Sequence, residues 1–376
     1  MRTWIEFNIH DRATMRVAHD APTAALMAEM FEPFLAHGLD HYDLTITGER
    51  EPVADVAHAG GAYDYTTTSL YIRGTKVQIA LDDQGFRLHG TRELLVTALP
   101  LLDRILVRRG VATIHAATVD YRGHGLCLPA WGATGKTSTV AKLLRLDGMS
   151  FMGDDWAFLS TEGDLLGYAK PMFIKAHHRP IYPHLFHNKR KPLVPSVLTG
   201  PLETVSTAVH PLITQYPRLA SFSRKWTPEH MKVSPRQAFP HATFSTRADL
   251  AATVFMERHD GARPLLQEQD TSWMISRLIG NFHAEIGSHS QEVMTALAAT
   301  GLVPLEQVFS EKAAVLQRAL AGKPAFLLQV PKAYPPDRAS DVMVEHLQKV
   351  LGVCNTPLQA ASRRGRGVLH TPSGVA

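Results

Sequence analysis

The sequence predicts an α/β (α+β) protein in four parts. These are a small N-terminal α+β domain over residues 1–90, a strand–loop–helix core over 91–355, a Pro- and His-rich insertion within that core at about 171–240, and a flexible tail over 356–376. Three observations carry this prediction. Short period-two alternations crowd the first 90 residues, a Gly-rich turn at 132–135 separates a strand pattern from a helix pattern, and proline density changes sharply near residue 171.

Alternation at Tyr42–Thr47, Ser69–Arg73 and Lys76–Leu81, punctuated by Gly74–Thr75 and Asp82–Gly85, reads as a small antiparallel sheet. An amphipathic helix over about 21–36 interrupts it, with Asp20 placed to cap its start and Gly38 past its end. A helix follows from Glu93 to Arg109, with Pro100 expected to kink it. Ala112–Val119 and Gly125–Pro129 read as strand and return strand about a turn at 120–124, and a helix begins at Thr137.

The segment 171–240 holds 11 of the 24 prolines, 6 of the 20 histidines and a single glycine, Gly200, so its regular elements must be short. Its aromatics, among them Tyr182, Phe186, Tyr216, Phe222 and Trp226, speak against disorder. Beyond it, strands are expected at 250–257 and 325–330, with helices at about 271–285, 289–300, 304–321 and 338–351. Trp273–Phe282 carries apolar residues at helical spacing and reads as core packing.

Composition narrows the function. With 45% hydrophobic and 20% charged residues the chain can bury a full core. Its 39 Lys+Arg against 35 Asp+Glu leave a net charge of +4, too little to argue for nucleic acid, and Arg363, Arg364 and Arg366 are too few for a nucleic-acid arm. Two distant cysteines, Cys127 and Cys354, supply neither a disulfide framework nor a cysteine zinc site, which suits a reducing cytoplasm. The charged N-terminus does not resemble a signal peptide, and the longest mainly apolar run, 94–102, is far short of the ~20 residues that span a bilayer.

The strongest motif is Gly132-Ala133-Thr134-Gly135-Lys136-Thr137-Ser138 between a strand and a helix. Small residues there let successive backbone N–H groups face phosphates, and the helix N-terminus adds positive potential. Lys136 would reach the β/γ-phosphates and the Thr137 hydroxyl a Mg²⁺ ion. Ala130 stands where the strict pattern has glycine. Asp154 and Asp155 end an apolar strand 18 residues beyond Lys136, near enough for strand and loop to be neighbours in one sheet. Such a pair can hold Mg²⁺ or accept a hydroxyl proton. His115 lies 21 residues before Lys136, within reach of the phosphates through a hairpin.

Together, Ile114–Tyr121, Gly125–Ser138 and Phe151–Asp155 resemble the HPr kinase/phosphorylase family in order and spacing over about residues 95–170. The resemblance implies a phosphoenolpyruvate-carboxykinase-like nucleotide-binding fold and phosphate transfer from ATP to a serine of a carrier protein. Some members of that family act on other targets, including the terminal serine of peptide precursors. It implies catalytic positions for His115 and Asp154, Asp154 taking the acceptor proton and His115 steadying the transferring group, with Asp155 as the second acid and metal positions at Thr137 and Asp155; Lys136 joins this catalytic set from the nucleotide loop at 132–138. Relatives are often oligomeric, which leaves a homo-oligomer open.

The expected function is therefore an ATP- and Mg²⁺-dependent kinase acting on a hydroxyl, serine by preference, of a protein or peptide, with no nucleic-acid or membrane partner. Two alternatives stand beside it: a small-molecule kinase or carboxykinase, and a non-catalytic nucleotide-sensing module. Lys175–Arg179 and His187–Lys191 are expected to form either a basic lid or an ordinary solvated loop. Arg224, Lys225, Lys232 and Arg236 are further phosphate-contact candidates, and Glu257–Arg258 either faces the nucleotide or forms a surface ion pair.

Overall fold

The computed structural model describes residues 3–50, 55–59, 61–90, 94–175, 178–179, 181–186 and 231–364, with side chains as far as Gly352. By internal contacts the chain divides into two compact units, Met1–Tyr168 with Thr243–Ala376, and Ala169–Ala242.

In the first unit, β1 (Trp4–Ile9) and β2 (Ala13–Ala18) form a hairpin whose turn holds His10 and Asp11 at φ of 51° and 56°. Helix α1 (Ala24–Met30) then runs for only seven residues. Its N-cap is Thr23 rather than Asp20, and a 3₁₀ turn at Glu32–Phe34 takes over where Pro33 removes a helix donor. Strands β3 (Leu35–Ala36), β4 (Leu44–Thr47), β5 (Ala57–Ala59), β6 (Tyr63–Tyr65), β7 (Ser69–Ile72), β8 (Val77–Asp82) and β9 (Gly85–His89) complete a nine-stranded sheet in the order β3-β1-β2-β4-β9-β8-β7-β6-β5. The sheet is mixed, not antiparallel as expected, because β4 runs parallel to both β2 and β9.

Helix α2 (Leu94–Arg108) buries Leu94, Leu101 and Leu106 and accommodates Pro100 within its span. The central strand β10 (Val111–Tyr121) follows, then β11 (His124–Pro129), helix α3 (Lys136–Leu143), β12 (Met149–Gly153), β13 (Trp156–Ser160) and β14 (Asp164–Leu166). After the second unit come β17 (Thr243–Phe244), β18 (Arg247–His259), β19 (Leu265–Gln269), α4 (Thr271–Glu285), α5 (Gly287–Ala299), α6 (Leu305–Ala319), β20 (Ala325–Pro331) and α7 (Pro336–Arg364). Strands β15 (Met172–Ile174) and β16 (Met231–Val233) lie between and belong to the second unit. Helix α7 extends the predicted 338–351 segment to Arg364, and the rest of the predicted tail lies outside the described residues.

The pairings of the second sheet close on themselves: β10 with β13, β13 with β14, β14 with β18, β18 with β11, and β11 with β10. β12 and β13 lie in succession along one edge of β10, antiparallel to it, with Asp154 and Asp155 at the break between them. β11, β18 and β20 run parallel, so their C-terminal ends share one side, where open α/β sheets commonly bind ligands.

The two sheets share one core. Phe31 and Phe34 from the N-terminal segment pack with Phe158 and Tyr168, and the Tyr168 hydroxyl donates to the Met30 carbonyl at 2.8 Å. In the second unit, β15 and β16 pair antiparallel, a helical turn at Pro235–Ala238 starts with a Ser234–Gln237 capping box, and Tyr182 is buried against Phe239. No helix among the described residues is long and apolar enough to cross a membrane.

Candidate functional site

β10 fixes the site by its register. On one edge Ala116 pairs with Pro129, the last residue of β11, so the loop at 130–135 begins beside it. On the other edge His115 pairs with Trp156, and the Ala116 N–H donates to the Asp155 carbonyl at 3.2 Å. The acid pair and the loop therefore meet across two consecutive residues of one strand. Gly153 permits the break at the acids: a Cβ there would lie 2.9 Å from the Tyr168 carbonyl oxygen.

The loop turns tightly into α3, with the Thr134 N–H donating back to the Trp131 carbonyl at 3.4 Å. Ala133 and Gly135 have φ of 61° and 112°, and Gly135 is the N-cap of α3. An alanine in the left-handed region is strained, a condition common at ligand-binding turns. Thr134 folds its hydroxyl back onto the Trp131 carbonyl at 2.7 Å, leaving Gly132 and Ala133 exposed at the mouth. Ala130 is fully buried and bridges to Met256 as an extension of the strand, so it belongs to the sheet rather than the turn. Ser138, expected in the loop's binding set, is 6% exposed.

The four expected catalytic residues come together. His115 Nε2 lies 2.9 Å from Asp155 Oδ1 and 2.7 Å from Lys136 Nζ, and Lys136 also donates to the Ala130 carbonyl at 3.3 Å. Thr137 Oγ1 donates to Asp154 Oδ2 at 2.9 Å. The neighbouring acids thus face different partners, Asp154 the helix N-terminus and Asp155 the histidine. This division differs from the expectation, which grouped Asp155 with Thr137 at the metal and gave the acceptor's proton to Asp154.

Two residues of α4 join the site: Asn281, which lies in the Trp273–Phe282 stretch expected to be core packing, and Glu285 beyond it. Asn281, fully buried, accepts from His115 Nδ1 at 3.0 Å and donates from Nδ2 to the Ala130 carbonyl at 3.2 Å. Glu285 accepts the Gly132 N–H at 3.1 Å. The available signal was an asparagine within the buried stripe Met274, Ile275, Leu278, Asn281, Phe282.

Further along β10, the Thr113 N–H donates to Asp103 Oδ1 at 3.1 Å, and Lys312 Nζ bridges both Asp103 oxygens at 2.9 and 3.0 Å. Burial pulls the Lys312 ammonium below the ordinary lysine range, against the opposing pull of Asp103. Burial also raises the Cys127 thiol far above its usual value, which makes it an inert core residue.

Other expected contacts fall elsewhere. Glu257 accepts from Gln329 at 2.7 Å and Arg258 donates to the carbonyls of Pro331, Lys332 and Tyr334, so the two form no ion pair with each other. In the second unit His178 Nδ1 accepts from the Lys175 N–H and His184 bonds the Gln237 carbonyl. His177, His187, Lys189, Arg190, Lys191, Arg224 and Lys225 lie outside the described residues. No cluster of three or more His, Cys, Asp or Glu side chains suited to a metal occurs among the described residues.

The set nonetheless fits Mg²⁺ and a nucleotide phosphate. Mg²⁺ commonly takes one or two carboxylates and completes its shell with phosphate and water oxygens, and Thr137 with Asp154 offers hard oxygen donors at a helix start. The Glu285 carboxylate on Gly132 shows that a loop amide already receives an anionic oxygen. No protein-family model matches the chain, and comparison with curated proteins finds no match.

Proposed function

We propose that the chain is an ATP- and Mg²⁺-dependent kinase that transfers a phosphoryl group to a hydroxyl, serine by preference, of a protein or peptide. The observation that carries this reading is the convergence, about His115 and Ala116 of one strand, of a strand–loop–helix phosphate cradle with a histidine and two carboxylates.

The roles follow from the pairings. Loop amides at 132–137 and the Lys136 ammonium bind the phosphates and neutralise their charge. Thr137 and Asp154 hold the metal, which supplies further neutralisation of phosphate charge when bound. Asp155, hydrogen-bonded to His115, accepts the proton of the attacking hydroxyl as its oxygen bonds the γ-phosphorus. The bond from that phosphorus to the bridging oxygen breaks, and ADP leaves with the electron pair. Lys136, which lies against His115 and donates to the Ala130 carbonyl, brings its ammonium to the phosphate oxygens from that position.

Calorimetric titration with Mg·ATP, wild type against Lys136→Ala, followed by product analysis of the nucleotide, tests the proposal. Binding lost in the variant, with ADP formed when acceptor peptides are added, supports it. Absence of binding by the wild type overturns it, and ATP that is bound but never consumed favours a nucleotide-sensing module.

A further inference from the structure

On the N-terminal sheet a row of polar side chains crosses successive strands at one level: Glu6 of β1 pairs with Arg16 of β2, Arg16 with Thr45 of β4, and Thr45 with Arg87 of β9. Residues paired in this way share a face of the sheet. Arg16 is held from three sides. Its guanidinium carbon lies 4.4 Å from the centre of the Trp4 ring and 4.4 Å from that of Tyr42, and its Nε donates to Thr45 Oγ1 at 3.1 Å. Glu6, the acid that pairing sets beside it, is engaged elsewhere, accepting the Tyr42 hydroxyl and the Leu39 N–H. Among the described residues no acceptor or carboxylate bonds either Nη of Arg16. The stacking and the Nε bond thus fix the plane of the guanidinium and leave its Nη edge as a prepared fork for a carboxylate.

Arg16 lines a pocket of about 280 Å³ together with Asp40, His41, Thr45 and Gln84, room for a small metabolite. Thr45, having accepted from Nε, still has its own hydroxyl proton to give. The Asp40 carboxylate and the Gln84 side-chain amide make no hydrogen bond among the described residues. Arg87 and His41, also in the lining, are balanced by Asp82 at 3.2 Å and Asp43 at 3.1 Å. One pocket therefore carries an unbalanced cation with a hydroxyl donor beside it, and an unbalanced carboxylate, which do not bond each other. A phosphate dianion would bring two charges to a single guanidinium in the company of Asp40, and a simple carboxylate would leave Asp40 unanswered. A dipolar ligand answers both groups. We propose that this pocket binds a small zwitterion, a free amino acid by class, with its carboxylate on Arg16 and Thr45 and its ammonium group on Asp40. The site draws on no residue of the phosphate loop or the acid pair, and it stands whether or not the chain is a kinase.

The test is thermal unfolding of the full chain with each of the common L-amino acids at about 10 mM, against acetate, methylamine and inorganic phosphate at the same concentration, followed by calorimetric titration of those that stabilise. At least one amino acid is expected to raise the unfolding midpoint by about 2 °C or more, while acetate and methylamine, each carrying half of the charge pattern, shift it little. Arg16→Gln is expected to weaken binding of that amino acid about 10- to 100-fold. Asp40→Asn, a change at an exposed side chain that leaves the fold intact, is expected to weaken it about 5- to 10-fold and to leave acetate unaffected. No shift with any amino acid overturns the proposal. Acetate or inorganic phosphate binding as tightly as the best amino acid also overturns it, since the pocket would then be a plain anion site. Should Arg16→Gln fail to fold once Trp4 and Tyr42 lose the cation between them, Asp40→Asn decides, and amino-acid binding unchanged in that variant overturns the assignment. None of these readouts needs nucleotide or a phosphate acceptor.

Discussion

Glu285 Oε1 accepts the backbone N–H of Gly132 at 3.1 Å, so a carboxylate from the last turn of α4 sits on a donor at the mouth of the loop. Both residues are exposed, and the contact competes with any anion the loop receives. Glu285→Ala is expected to tighten Mg·ATP binding about two- to five-fold by calorimetry, with the gain shrinking as salt rises. Weaker binding by the variant would mean that the carboxylate supports the loop's conformation instead of blocking it.

Lys312 and Asp103 form a buried ion pair, their side chains only 2% and 5% exposed, and Lys312 Nζ lies 3.2 Å from the centre of the Phe282 ring. Removing one partner strands the other charge. Lys312→Met is expected to cost about 3–5 kcal/mol in urea unfolding. Adding Asp103→Asn should recover most of that loss, because the asparagine oxygen still accepts the Thr113 N–H while the stranded charge is gone. A single variant as stable as wild type would show that the pair does not hold α2, α6 and β10 together.

Burial, and secondarily the negative charge of Asp155, pushes the Tyr168 hydroxyl well above the usual tyrosine range. The folded chain then keeps this proton at a pH where the unfolded chain has lost it, so stability is full below about pH 10 and falls as pH rises beyond it, by up to about 1.4 kcal/mol per pH unit. Urea unfolding at pH 8 and pH 10.5 checks this. Tyr168→Phe is expected to start less stable, since the Met30 carbonyl loses its donor, but to lose less on alkalinisation. Equal losses in both proteins would refute the assignment.

The loop, His115 and the acid pair were legible because each is a local pattern read against its own flanking elements. Their grouping by partner was not, since nothing in two consecutive aspartates says which faces Thr137 and which faces His115. That division comes from the register of β10 against β12 and β13, a property of pairing. Asn281 and Glu285 stand 166 and 153 residues from the atoms they bind, beyond any local pattern. In the N-terminal sheet, alternation revealed which residues of Leu44–Thr47 face the core but not the direction of the neighbouring strands, so the parallel pairing was missed. The first helix ended early because Pro33 outweighed an apolar spacing that continued past it.

The chain leaves the first unit and returns to it at one place. Leu166 of β14 pairs with Arg247 of β18, and the Gly167 N–H donates to the Thr246 carbonyl at 2.9 Å, so exit and re-entry are laced together before Ala169–Ala242 begins. Changing the length of a segment closed at its base carries a small entropic cost, while the strand alignment that sets His115 against Asp155 is held by pairings within the first unit itself.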